Sequence, residues 1–111
     1  MELIKNIIDQ LNELKASDIN SYDVKGISSI TDTMIVASAI SLRHVDALAD
    51  NLVEYMRKTH DIKPFRVSSK TKNGWVVIDF GDVIVHLMDK ETRELYSLDD
   101  LYTNMNESSN S

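Results

Sequence analysis

Few side chains in this sequence have both the type and the spacing that chemistry requires. Asp32, Asp79 and His86 are the best candidates. A loop that starts at Gly26 and runs Ile-Ser-Ser-Ile-Thr-Asp32 into a β-prone segment has the outline of a two-metal phosphoryl-transfer site. That chemistry needs paired carboxylates on the metals, and Asp32 is followed by Thr33 and Met34, so no second acid stands on the same strand. A residual enzyme of this kind would have to draw on Asp32 and Asp79. His44, His60 and His86 include no i, i+4 pair for a helical metal site, and no Ser has a base at a recognisable spacing. With only three glycines the phosphate-cradling loops are absent. The reading is a non-enzyme with no catalytic residues, no metal and no cofactor.

The polar residues of the loop have a structural use instead. Ser28, Ser29, Thr31 and Asp32 are short side chains that hydrogen-bond nearby backbone, and a role in shaping the loop is favoured over a binding role. Ser41 suits a helix N-cap, with Arg43 and His44 in the first turn; His44 is placed to bond back to the preceding loop.

The segment from Trp75 to Met88 is the part most able to recognise another molecule. Two β-rich runs flank a Gly81-Asp82 turn signal, which gives a hairpin. Alternation puts Val76, Ile78, Val83, Val85 and Leu87 on one face, wholly apolar and suited to a core. Trp75, Val77, Asp79, Ile84, His86 and Met88 share the other face, neither cleanly apolar nor cleanly polar. Asp79 is available there to orient His86. Burying a large apolar side chain is worth roughly 1.5–3 kcal/mol, so Trp75, Val77, Ile84 and Met88 could sustain a partner contact. On this expectation Trp75 and Met88 are exposed in the monomer; the competing expectation is that terminal helices cover them.

The elements that must position these residues follow from periodicity. Leu3, Ile4, Ile7, Ile8, Leu11 and Leu14 make residues 2 to 15 an amphipathic helix. Ile19, Tyr22 and Val24 suggest a short edge strand, and Thr33 to Ala39 a central one. A second helix, carrying Val45, Leu48, Leu52 and Met56, runs from the Ser41 cap to about His60, before Pro64. Phe65 to Ser68 can form a short strand, and Ser69 to Gly74 a polar connection into the hairpin. Asp89 can cap a helix to Leu95 or Tyr96, and Ser97-Leu-Asp-Asp100 resembles a capping box before a last turn with Leu98, Leu101 and Tyr102. This order predicts a single α/β domain over residues 1–102, with a mixed sheet of four or five strands packed by helices, and a disordered tail over 103–111.

The chain has 111 residues, net charge −6 and no cysteine. One domain and a reducing, cytoplasmic setting follow as expectations, since no signal peptide or membrane-length apolar run is present. The negative charge disfavours DNA and favours a basic protein partner. Six of the 12 basic residues lie in the stretch Arg57 to Lys72, whereas eight acids oppose Lys90 and Arg93 from Asn73 onward. Both clusters read first as solvated surface.

Taken together, Asp18-Ile, Asp23-Val with Gly26, Ser28-Ser-Ile-Thr-Asp32, Ser41-Leu-Arg-His44, Ala47-Leu-Ala-Asp50, the Trp75-to-His86 segment and Arg93-Glu-Leu-Tyr96 resemble the ribosomal silencing factor, or iojap-related, family over residues 3 to 102. The resemblance implies a nucleotidyltransferase-like fold without catalysis, agreeing with the single Asp32. It implies binding to the large ribosomal subunit through its basic protein fourteen, a steric block of small-subunit joining and repression of translation under nutrient limitation. It also implies a homodimer when free. Tyr102 stands where the family commonly has Trp. The other readings are a nucleotidyltransferase-like enzyme and a self-associating dimerisation module.

Overall fold

The computed structural model describes residues 2–68 and 74–103. Helix α1 (Glu2–Glu13) is followed by strands β1 (Ser17–Asp23) and β2 (Thr33–Ala39), helix α2 (Leu42–His60), and strands β3 (Arg66–Val67), β4 (Trp75–Asp79) and β5 (Val83–Asp89). Helix α3 (Lys90–Tyr96) comes next. Residues 98–103 are helical again. The anticipated tail lies, apart from Thr103, outside the described residues, as do residues 69–73 of the connection into the hairpin.

The five strands form one mixed sheet in the order β1-β2-β5-β4-β3, with β2 and β5 parallel and the other neighbours antiparallel. The α/β domain with a mixed sheet read from the sequence is therefore what folds. Every residue of β2 is buried, which explains its mainly apolar composition: helices cover both of its faces. On one face α1 and α2 bring Ile7, Leu11, Leu48, Leu52 and Met56 against Ile35, Val76, Ile78, Val85 and Leu87. On the other, Met34, Val36, Ile84 and Met88 pack with Leu98 and Tyr102 from the C-terminal segment.

Local chemistry sets the ends of the elements. Helix α1 stops two residues short of its expected end at residue 15, because Lys15 turns left-handed at φ 66 and the amide of Ala16 donates to the Leu11 carbonyl at 3.0 Å. Helix α2 starts at Ser41, whose hydroxyl accepts from the His44 amide at 3.1 Å. His44 then ties three segments together: Nδ1 accepts from the Ile40 amide at 3.0 Å, and Nε2 lies 3.0 Å from the Leu14 carbonyl at the end of α1.

The hairpin closes around Gly81, at φ 93, with the Phe80 amide donating to the Val83 carbonyl at 2.8 Å. At its other end Gly74, at φ 76, lies so close to α3 that a Cβ there would meet Asp89 Oδ1 at 2.7 Å. Asp89 caps α3 by accepting from the Thr92 amide at 3.0 Å. The start of the hairpin and the start of α3 are thus packed as one unit.

Candidate partner-binding face

The β4–β5 ladder pairs Trp75 with Met88, Val77 with His86 and Asp79 with Ile84, so the six residues expected on one face do share it. Their exposure differs from expectation. Met88 is fully buried, and Ile84 and His86 are buried as well, because residues 98–103 lie across that half of the sheet and place Leu98 and Tyr102 over them. The expectation that Met88 is exposed in the monomer is overturned, and covering by the terminal helical segments is what occurs. Trp75, Val77 and Asp79 remain half-buried.

His86 is held by aromatic partners rather than by Asp79. The Trp75 indole Nε1–H donates to His86 Nδ1 at 3.1 Å, and His86 Nε2 lies 3.3 Å from the Tyr102 hydroxyl. Burial pushes the imidazole down to about 4, so it is neutral at physiological pH. Asp79 turns instead into the hairpin loop, where its carboxylate accepts from the Gly81 amide at 2.8 Å. It does the work of a turn residue.

The other sequence candidates lie away from this face. In the loop before β2, Ser28 Oγ accepts from the Ile30 amide at 3.1 Å and the Thr31 hydroxyl lies 3.4 Å from the Thr33 carbonyl. Ser29 is exposed, and Asp32 takes part through its backbone, its carbonyl accepting from Val24 at 2.8 Å. Arg43 is exposed on the first turn of α2. Among the described residues no three His, Cys, Asp or Glu side chains are grouped to hold a metal ion. Arg57 and Lys58, at the start of the basic stretch, pair with Glu54 on the exposed side of α2 at 2.8 and 3.1 Å.

Read from the sequence, α3 and the segment after it offer cover for this face, but Leu95 and Tyr96 are not counted among the site residues. Tyr96 packs against Trp75 with ring centroids 4.8 Å apart. Tyr96 is nevertheless 54% exposed and its neighbour Leu95 76%, so apolar surface continues from the edge of Trp75 onto α3. The same helix and the segment after it also carry exposed acids, Glu91, Glu94 and Asp100, with Lys90 the one exposed cation on α3. Exposed aromatic and aliphatic side chains on a helix with exposed acids are suited to a basic protein surface.

A second unrecognised feature sits behind the patch. Arg93 Nε and Nη2 grip Asp99 at 2.8 and 2.9 Å, while Nη1 donates to the Asp18 carbonyl at 2.6 Å and to Ser38 Oγ at 2.8 Å. The Tyr22 hydroxyl donates to Asp99 Oδ1. Asn20, turned with its amide oxygen inward, accepts from Arg93 Nη2 at 3.0 Å, which gives every guanidinium N–H an acceptor. The Arg93 hydrogen bond, outweighing burial, draws the Asp99 carboxyl down to about 2. Burial, reinforced by Asp99, pushes the Tyr22 phenol up to about 12. Burial alone would lower Arg93, but its bonds and charge contact with Asp99 prevail and raise it. An open cavity of about 620 Å³ borders this group, yet its arginine is already fully engaged and has no donor left for an anion. The signal available in sequence was Arg93 six residues before Asp99, which a capping-box reading of residues 97–100 concealed.

Comparison with known proteins now decides the family. The family model described as ribosomal silencing factor during starvation matches residues 1–111. The chain belongs to the ribosomal silencing factor family. Ribosomal silencing factor RsfS of Haemophilus influenzae is 40% identical over 102 residues, covering 92% of this chain and 99% of that protein. A mouse relative, mitochondrial assembly of ribosomal large subunit protein 1, is 31% identical over 102 residues, covering 90% of this chain and 45% of its own length. The crystal structure of a Chromobacterium violaceum protein superposes with a TM-score of 0.86 at 30% identity, covering 92% of this chain and 84% of that one. One from Bacillus halodurans gives 0.78 at 30% identity, covering 91% and 93%. Among the described residues of this silencing-factor chain no helix is long and apolar enough to cross a membrane.

Proposed function

We propose that the protein is a non-enzymatic ribosomal silencing factor that binds the large ribosomal subunit, through its basic ribosomal protein fourteen, and sterically prevents the small subunit from joining. Translation falls as a result, which is useful to a cell short of nutrients, and the setting is the cytoplasm. The contact is made by the half-buried edge of Trp75 and Val77 together with exposed Leu95 and Tyr96 of α3. Met88, Ile84 and His86 support that surface from beneath.

The observation that carries the reading is the tilted packing of Tyr96 against Trp75, ring centroids 4.8 Å apart, next to exposed Leu95 on a helix that also exposes Glu91 and Glu94. Aromatic anchors of this type supply most of the binding energy in protein interfaces, while the exposed acids favour a basic partner and speed encounter. Steric exclusion requires no chemistry, which accords with an Asp32 that has no second carboxylate on its strand. The test is binding of the full chain to purified large subunits and to isolated protein fourteen. Leu95→Ala and Tyr96→Ala should each weaken both interactions by about tenfold or more. Unchanged affinity in both variants would place the contact elsewhere.

A further inference from the structure

The two features missed by the sequence are physically one. Starting at α3, Tyr96 packs on Trp75 with centroids 4.8 Å apart, and Trp75 bonds His86 at 3.1 Å. His86 meets Tyr102, whose ring lies 5.7 Å from that of Tyr22. Tyr22 donates to Asp99, and Asp99 holds Arg93, one helical turn before Tyr96. The circuit closes on the same helix it started from.

We propose that Asp99 is a positioning residue for the partner face. By clamping Arg93 of α3 and Tyr22 of β1 to the segment 98–103, it fixes Leu95, Tyr96 and Trp75 as one surface without touching the partner. The inference rests on the partner face described above and adds the element that holds it in shape.

Three observations support the role. Helix α3 has seven residues and none of them is buried, so apolar packing alone anchors it weakly. Arg93 supplies the missing anchor, since its guanidinium reaches the β1 backbone and Ser38 of β2 as well as Asp99. The bidentate pair with Asp99 is well shielded on the arginine side, with 10% and 27% of the two side chains exposed. Charge-assisted pairs of this geometry fix orientation as well as adding energy. The carboxylate also fixes the following turn, so that Leu98 and Tyr102 stay seated over Met88 and His86. Binding surfaces lose affinity when their supporting shell is loosened, even though no contact atom is removed.

The chain has a single tryptophan, so Trp75 emission reports the order of this face in the free protein. The experiment uses the full chain with Asp99→Ala, Asp99→Glu and Tyr22→Phe, all studied well below their melting temperatures. Trp75 emission and its quenching by acrylamide are measured in free protein, and affinity is measured on purified large subunits. Asp99→Ala should shift the emission to the red, raise its quenching and weaken binding by about tenfold. Tyr22→Phe, which removes one bond to Asp99 and keeps the ring, should move both readouts in the same direction by less and also serves if Asp99→Ala fails to fold. Asp99→Glu should recover much of both. Affinity lost with unaltered Trp75 emission would make Asp99 a direct contact and overturn the positioning role. An emission shift without loss of affinity would overturn it too, as would a lowered melting temperature with both readouts unchanged. Leu95→Ala and Tyr96→Ala separate the two claims: if both leave affinity intact the partner face is wrong, while the emission of the Asp99 variants still decides whether the clamp orders Trp75.

Discussion

Trp75 and His86 sit diagonally across the β4–β5 ladder, with the indole Nε1–H donating to the imidazole Nδ1 at 3.1 Å. Since an indole N–H can only donate, Nδ1 carries no proton, and the proton of the neutral ring is on Nε2, facing the Tyr102 hydroxyl at 3.3 Å. A protonated His86 would present an N–H to an N–H.

A stability window follows. Burial lowers His86 from 6.5 to about 4, so the unfolded chain binds the proton before the folded one does. Stability is then fully present above about pH 6.5 and drains away as pH falls towards 4. At about 1.4 kcal/mol per pKa unit, the loss over that interval is of order 3 kcal/mol. Denaturant melts from pH 7 to pH 4 of the natural chain and of His86→Gln should diverge over this interval. Parallel curves would contradict the assignment.

Stability and binding should separate between Met88 and Leu95. Met88 is fully buried, so Met88→Ala removes core contacts and should cost about 2–5 kcal/mol in unfolding free energy. Leu95 is largely exposed, and Leu95→Ala should leave unfolding within about 0.5 kcal/mol of the natural chain. Affinity should follow the opposite order when both variants are assayed folded. Chemical denaturation paired with large-subunit binding checks the two together.

Gly74→Ala should damage both properties. The backbone at φ 76 disfavours a side chain, and the added Cβ would press on Asp89 Oδ1 and Thr92 Oγ1 at 2.7 and 2.8 Å. These atoms belong to the first turn of α3, the helix that carries Leu95 and Tyr96. Strain at such a position costs of order 1–3 kcal/mol, and displacement of the cap should also lower affinity for large subunits. Circular dichroism and binding of the variant would show both losses.

The sheet was readable in the sequence because its determinants are local. The apolar run Met34 to Ala37 in β2, the Gly81-Asp82 turn and the Ser41 cap each need only a few neighbouring residues. Both faces of the hairpin were read correctly for the same reason, since alternation is a property of the strand alone. Exposure is not local. Whether Met88 meets solvent depends on residues 98–103, and whether those stay in place depends on Asp99 reaching Arg93 and Tyr22, the latter 77 positions away. Separation along the chain hid the apolar surface as well: Leu95 and Tyr96 look like ordinary members of a short helix until Tyr96 is seen against Trp75.

The most direct measurement is subunit joining itself. Purified small and large subunits are mixed at a magnesium concentration that supports association, with or without the protein, and resolved by sedimentation. The full chain should reduce the joined-ribosome peak in proportion to its amount, and Leu95→Ala combined with Tyr96→Ala should restore it. A joined peak unaffected by the natural protein, or suppressed equally by the double variant, would contradict silencing through this face.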